Sequence, residues 1–130
     1  MLATWLYVST NVLTADIEAE IAGIRSVAEK NNPRLSLTGV LLFSGGHFAQ
    51  FLEGPAAGLE EMKRTICADR RHSNVITLRA SQSKERRYPK WWLAYSGRAT
   101  AIEKILSDSV SEGGVREMML AMDAFVEGLR

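Results

Sequence analysis

The stretch from Leu35 to Glu53 constrains the fold more than any other part of the chain. It holds two runs of strand length, Leu35–Ser44 and His47–Glu53, parted by Gly45-Gly46, a favoured composition for a two-residue hairpin turn. That turn sets a register: Leu41 faces Gln50, Phe43 faces Phe48 and Val40 faces Phe51. Apolar side chains then stand on both faces of both strands. Such a hairpin belongs in the middle of a sheet covered on two sides, not at its edge.

The flanking sequence supplies the rest of that sheet and its cover. Leu2–Ser9 alternates, with Leu2, Thr4, Leu6 and Val8 on one face and Ala3, Trp5, Tyr7 and Ser9 on the other. Thr14 is placed to cap a helix whose start carries Asp16, Glu18 and Glu20, acids suited to the positive end of the helix dipole. Ile17, Ile21, Ile24 and Ala28 form its apolar stripe, and Asn31-Asn32-Pro33 is expected to end it. Gly54-Pro55 stops the hairpin. A second helix, Ala57–Ala68, follows with Leu59, Met62 and Ile66 on a stripe that Asp69 continues. Val75–Ser83 and Trp91–Ser96 read as a fourth and a fifth strand. Two short helices close the chain, Ala99–Leu106 and, after Gly113-Gly114, Val115–Gly128. The last carries Met118, Met119 and Met122 on a wide apolar stripe, which covers the open sheet face or binds a partner. The order is β-α-β-β-α-β, then a strand and a helical tail. This is an α+β fold of ferredoxin-like pattern, with two helices side by side on one face of the sheet.

Composition narrows the function classes. Sixteen Lys+Arg against fifteen Asp+Glu leave a net charge of +1, too little to drive nucleic-acid binding. Trp91-Trp92 and Tyr95 would suit base stacking, but the charge balance assigns them to packing. One cysteine, Cys67, forms no internal disulfide, and with two histidines it closes no zinc site without carboxylates. No apolar run approaches the roughly 20 residues of a membrane span, and the N-terminus lacks the basic region of a signal peptide. The expectation is a soluble, cytoplasmic protein with no metal and no membrane contact. A catalytic set is missing as well. There is no nucleophile elbow, no glycine-rich phosphate loop, and no spacing that joins Glu53 to Asp69 as a carboxylate pair.

Polar residues interrupt the apolar pattern at a few positions. Gln50 shares a strand face with Phe48 and Leu52. A buried amide left unpaired costs about 1–3 kcal/mol, so it needs partners, and backbone or water would serve. Tyr7 needs one for its hydroxyl, although a structural tyrosine is the plainer reading. Asn31 and Asn32 end the first stripe in amides, as a C-cap before proline would. Asp69 opposes the dipole of the second helix, and a local salt bridge with the following Arg70, Arg71 and His72 would answer that. Together these residues ring the groove between two parallel helices with amides, a phenol and an acid. A flat heteroaromatic ligand requires such an edge of donors and acceptors between aliphatic walls.

The motifs Tyr7-Val-Ser9, Asn32, Leu37-Thr-Gly-Val-Leu-Leu-Phe43, Phe48-Ala-Gln-Phe-Leu-Glu-Gly54, Asp69-Arg-Arg-His72 and Arg87-Tyr-Pro-Lys-Trp91 resemble, in order and spacing, the BLUF domain. BLUF domains are blue-light sensors that bind flavin. The resemblance runs from Leu2 to Tyr95. It implies residues 1–97 as a flavin-binding domain and 98–130 as a helical extension packed on that domain or on a partner. It also implies FAD or FMN held non-covalently between the two helices. Tyr7 would be the light-driven electron and proton donor, and Gln50 would stand between that phenol and flavin N5/O4. Asn32 would bond the pyrimidine edge, with Asn31 beside it. Ile24, Leu41, Phe48 and Ile66 would line the ring faces, with Ala28 as a further neighbour. Asp69, Arg71 and His72 would lie along the ribityl and phosphate side, and Trp91 and Leu93 on the strand that relays the signal.

By the same resemblance no substrate is turned over. Light drives an electron from Tyr7 to the flavin, the charges recombine, and the Gln50 amide returns rotated or as its tautomer. A new hydrogen bond to O4 shifts absorption to the red. Output is a population shift between packings of the fifth strand and tail, read by a downstream protein partner. Self-association into a homo-oligomer is also expected. Leu93 replaces the usual methionine and has no sulfur to accept a hydrogen bond, which bears on signal relay. Thr65 stands where the family often has arginine, and Trp92 where it has a smaller or polar residue. The alternative is a light-insensitive ferredoxin-like interaction module, which colour would distinguish.

Overall fold

The computed structural model describes residues 1–11, 17–43, 47–70, 72–95 and 112–129. Their order is β1 (Leu2–Asn11), α1 (Ile17–Leu35), β2 (Thr38–Phe43), β3 (His47–Gly54), α2 (Ala56–Ala68), β4 (His72–Ser83), β5 (Trp91–Tyr95) and α3 (Glu112–Leu129). The Thr14 cap, Asp16, the Gly45-Gly46 turn, Arg71 and the helix expected at Ala99–Leu106 lie outside the described residues.

The sheet runs β4-β1-β3-β2-β5. The hairpin has the register expected of it, Leu41 to Gln50, Phe43 to Phe48 and Val40 to Phe51. β1 lies antiparallel to β3, with Tyr7 directly opposite Gln50. β5 adds parallel to β2, setting Trp91 against Gly39 and Leu93 against Leu41. The ferredoxin-like α+β expectation therefore holds, with β5 extending the sheet beyond β2.

Alternation along the strands splits the core into two layers. On one face Trp5, Tyr7 and Leu52 pack under Leu59, Met62 and Ile66 of α2, while Ile24 of α1 packs on Leu41, Phe43 and Phe48. On the other face Leu6, Val40, Leu42 and Phe51 meet Met118, Met119, Met122 and Val126 of α3. In this structure the methionine stripe packs against the second sheet face.

Some boundaries move. α1 does not stop at Asn31-Asn32-Pro33 but continues to Leu35 with Pro33 inside it. In a final turn the proline removes only one intrahelical bond. Ser36 then turns to φ +58°, and its N–H reaches Pro33 O at 3.1 Å while the Leu37 N–H reaches Asn32 O at 2.8 Å. These paired bonds make a Schellman-type end with serine where glycine is usual. Asn31 and Asn32 are thus interior helix residues, not caps. β2 loses Leu35 to this helix, β4 starts at His72 instead of Val75, and α3 begins at Glu112. The helices are not parallel either. Arg70, just past the C-terminus of α2, pairs with Glu20 near the start of α1, while Arg34 near the end of α1 pairs with Glu61. α1 and α2 therefore lie side by side and run in opposite directions.

The α3 cover is tied down by charge. Arg87 donates through Nε and Nη2 to the two Asp123 oxygens at 3.0 and 2.6 Å, and the Tyr88 hydroxyl donates to Oδ1 at 2.7 Å. The Arg87 hydrogen bonds hold the Asp123 carboxyl below the usual carboxylate range. A carboxylate whose folded pKa is depressed stabilises the fold above its ordinary pKa, and the gain disappears as pH falls through the folded value. Asp123→Asn should therefore destabilise by about 1 kcal/mol near neutrality, screened by solvent. The difference from wild type should begin to shrink below about pH 4 and close as pH falls through the lower folded value. Thermal unfolding of both proteins from pH 7 to pH 3 checks this, and a difference independent of pH would contradict it.

Candidate functional site

Gln50 and Tyr7 are brought together by the β1–β3 register and buried by the two helices above them. The Gln50 Nε2–H donates to the Tyr7 hydroxyl at 2.6 Å. At the other end of the amide, Gln50 Oε1 accepts from the Trp91 indole Nε1–H at 3.1 Å. The side-chain partners of this buried amide are thus a phenol and an indole from two other strands. Tyr7 is wholly buried, and the loss of solvation pushes its phenol well above its ordinary pKa. It is a neutral hydroxyl at any physiological pH.

Beside Gln50 lies a cleft between α1 and α2. Its aliphatic walls include Ile24 and Ala28 from α1, Leu41 from β2 and Ile66 from α2. Asn32, Asp69, His72 and Trp91 add its polar rim. Asn32 is buried, and its Oδ1 has no hydrogen-bond partner. A buried acceptor left in this way carries a desolvation cost that a ligand N–H would relieve. The site thus offers aliphatic faces, an amide donor and acceptor pair at Gln50 and an unsatisfied acceptor at Asn32. That set suits the edge and faces of a flat heterocycle such as the flavin ring.

The space is narrower than the chemistry. The cleft encloses about 40 Å³, room for a water but not for a tricyclic ring. A ring enters only if α1 and α2 part. The ion pairs that span them, Arg34 with Glu61 and Arg70 with Glu20, have exposed guanidinium groups and resist this weakly. A larger cleft of about 740 Å³ lies between α1 and residues 86–93, sharing Ala28, Asn32 and Trp91 with the first, but it does not reach Gln50.

The remaining expected residues are distributed as follows. Phe48 lies beneath the cleft, its ring 4.5 Å from His72 and 5.3 Å from Phe43. His72 Nδ1 shares a 2.9 Å hydrogen bond with Ser9 Oγ. Asn31 is turned to the α1 surface, where Arg34 approaches its Oδ1 at 3.4 Å. Leu93 faces the larger cleft. Arg71 is outside the described residues. Glu53 does not join Asp69: buried, it accepts from the backbone N–H of Arg87 at 2.8 and 2.9 Å and of Tyr88 at 2.9 Å. Val27 and Met62 line the cleft and were not foreseen as site residues. Both signals were present, since Val27 follows Ile24 at helical spacing and Met62 belongs to the α2 stripe. Thr65 also lines it, its hydroxyl donating to Glu61 O at 3.1 Å within its own helix.

Comparison with known proteins agrees with this arrangement. Residues 2–94 match the family BLUF, sensors of blue-light using FAD. The blue light- and temperature-regulated antirepressor BluF of Escherichia coli K12 is 37% identical over 90 residues, covering 69% of this chain and 22% of that protein. Among solved structures, BlrB, a BLUF protein in its dark state, superposes with a TM-score of 0.78 at 32% identity, covering 90% of this chain and 91% of the other. Klebsiella pneumoniae BlrP1 with FMN and cyclic diGMP gives 0.65 at 32% identity, covering 82% and 30%. The chain spans 22% or less of the curated relatives it matches, and the remainder of those proteins lies outside the matched region.

Proposed function

The chain belongs to the BLUF family of blue-light sensors that use flavin, and from this premise we propose that Tyr7 and Gln50 form its photochemical switch and that its output is contact with another protein. The observation that carries this reading is the 2.6 Å hydrogen bond from Gln50 to the Tyr7 hydroxyl beside the α1–α2 cleft. FAD or FMN would be held by Asn32 at its pyrimidine edge, with Asn31 nearby. Ile24, Ala28, Leu41 and Ile66 would meet its faces, with Phe48 behind them. Asp69, Arg71 and His72 would lie along its side chain. When bound and excited, the flavin supplies a strong one-electron oxidant. Tyr7 would give that oxidant an electron and its phenolic proton and take both back, so that nothing is consumed. Gln50, whose amide bonds two partners of different kind, is free to return with its ends exchanged. Trp91 holds one end of that amide, so the exchange changes what β5 is bonded to.

β5 is an edge strand, and α3 packs over the adjoining sheet face. This supports residues 1–97 as the sensory unit and 98–130 as an extension that carries the change outward. A relative named as an antirepressor supports a protein partner. Self-association belongs to the same reading, as does a sensor that turns over no substrate. A cytoplasmic place belongs to the same reading. Among the described residues no helix is long and apolar enough to cross a membrane.

The test is a light-minus-dark absorption spectrum of the purified chain. A yellow protein whose blue band moves to the red and recovers in darkness is expected. A colourless protein returns the scaffold to a light-insensitive interaction module. Gln50→Leu should keep flavin and fold, lose the red shift, and cost about 1–3 kcal/mol because Tyr7 and Trp91 each lose a buried partner. Denaturation and difference spectroscopy of this variant check both parts.

A further inference from the structure

A second aromatic ring lies against the proposed photochemical tyrosine. Trp5 and Tyr7 are two residues apart on β1 and so share a face. Their ring centroids are 4.3 Å apart at an interplanar angle of 27°, and both side chains are buried. The Trp5 Nε1–H donates to Thr77 Oγ1 on β4 at 2.9 Å. Above the indole, the Lys63 ammonium of α2 stands 5.2 Å from the ring centroid. Lys63 also pairs with the Glu60 carboxylate at 3.4 Å, on the more exposed side of the ammonium.

Phenol and indole are the side chains that lose an electron most readily. Rings in contact exchange an electron faster than their surroundings rearrange, so a hole made at Tyr7 settles wherever its free energy is lower. Oxidised tyrosine sheds its proton and is neutral. Oxidised Trp5 is differently placed. Its N–H faces a hydroxyl, a poor base, so the oxidised indole keeps its proton and remains a cation in an apolar core. The Lys63 ammonium stabilises the neutral indole through its ring face and repels the cation. At 5.2 Å and an effective dielectric of about 20, an unpaired ammonium would shift the distribution of the hole by on the order of a hundredfold; the Glu60 carboxylate at 3.4 Å reduces this without reversing its sign.

We infer that Trp5 is a positioning residue for Tyr7, stacking it in place, and that Lys63 confines the photochemical hole to Tyr7 by making Trp5 harder to oxidise. The inference rests on the proposed Tyr7 photochemistry. The electron and proton leave Tyr7 for the photoexcited flavin and both return, so no net oxidation results.

The experiment is transient absorption on the full chain loaded with FAD, which separates phenol-derived from indole-derived radicals by their spectra. It is run beside near-UV circular dichroism of the apoprotein to confirm the stack. Wild type should show no indole radical. Lys63→Met, or Lys63→Gln as a second neutral replacement, should produce one and lower the yield of the red-shifted state by about twofold or more. Lys63→Arg keeps the charge and should behave as wild type. Adding Trp5→Phe to Lys63→Met should remove the indole radical and restore the yield. Neutral variants identical to wild type overturn the inference. An indole radical that persists without Trp5 also overturns it, because the hole would then lie on Trp91 or Trp92. A wild-type protein with flavin but no light response overturns the photochemical reading itself, a failure distinguishable from the others.

Discussion

Replacing Tyr7 with phenylalanine should leave a folded yellow protein whose blue absorption band no longer moves under light. The two side chains differ by one hydroxyl. Phenylalanine keeps the ring that stacks on Trp5 at 4.3 Å and the volume at the centre of the core. It removes the oxygen that accepts from Gln50 and the proton that leaves on oxidation. One buried amide N–H then lacks its partner, a cost of about 1–3 kcal/mol that a folded domain survives. The chemical effect is far larger, because phenylalanine is much harder to oxidise and has no acidic proton to release. The expected change is from a full red shift to none. Light-minus-dark difference spectra at matched flavin content measure it, and a surviving shift would place the donor elsewhere, with Trp91 next to be tested.

The largest effect on the fold itself is expected from Gly39→Ala. Gly39 is the second residue of β2, between Leu52 of β3 and Trp91 of β5. Its φ is +152°, a backbone state that side-chain-bearing residues rarely adopt. A Cβ built there would lie 1.8 Å from Phe51 O and 2.8 Å from Phe51 C. These are backbone atoms of a central strand, not the far end of a flexible side chain, so relief requires β2 and β3 to separate. Strain of this kind belongs to the rare class above about 4 kcal/mol, a large part of a domain's whole stability. The variant should be insoluble or unfolded at room temperature by circular dichroism. A soluble Gly39→Ala protein melting within a few degrees of wild type would show that the β2–β3 backbone yields far more easily than this.

The hairpin was legible because two local signals agreed. Glycines marked the turn, and apolar residues on both faces demanded a central position, which together left one register. The polar interruptions were legible for a related reason: Gln50 and Asn32 occupy apolar positions of otherwise regular patterns, and burial makes such exceptions costly unless something pairs with them. The end of α1 was misread because Asn-Asn-Pro is a common terminator. Ser36 and Leu37 instead complete the last turn with backbone bonds, a choice that depends on Gly54, where a Cβ would lie 2.6 Å from Ser36 O. That contact joins residues far apart in the chain and leaves no mark on local composition.

Strand and helix periods, the hairpin pairing and the identity of the polar residues at the site follow from the order of side chains, since each depends on neighbours a few positions away. The partners of those polar residues do not. Trp91 reaches Gln50 because β5 docks parallel to β2 at the sheet edge, and Trp5 meets Lys63 because α2 crosses β1. The methionine stripe covers the sheet because Asp123 finds Arg87 and Tyr88. Such contacts are selected by the shape of the complete core, where one arrangement buries every apolar face at once, and that condition exists only after the chain has closed on itself.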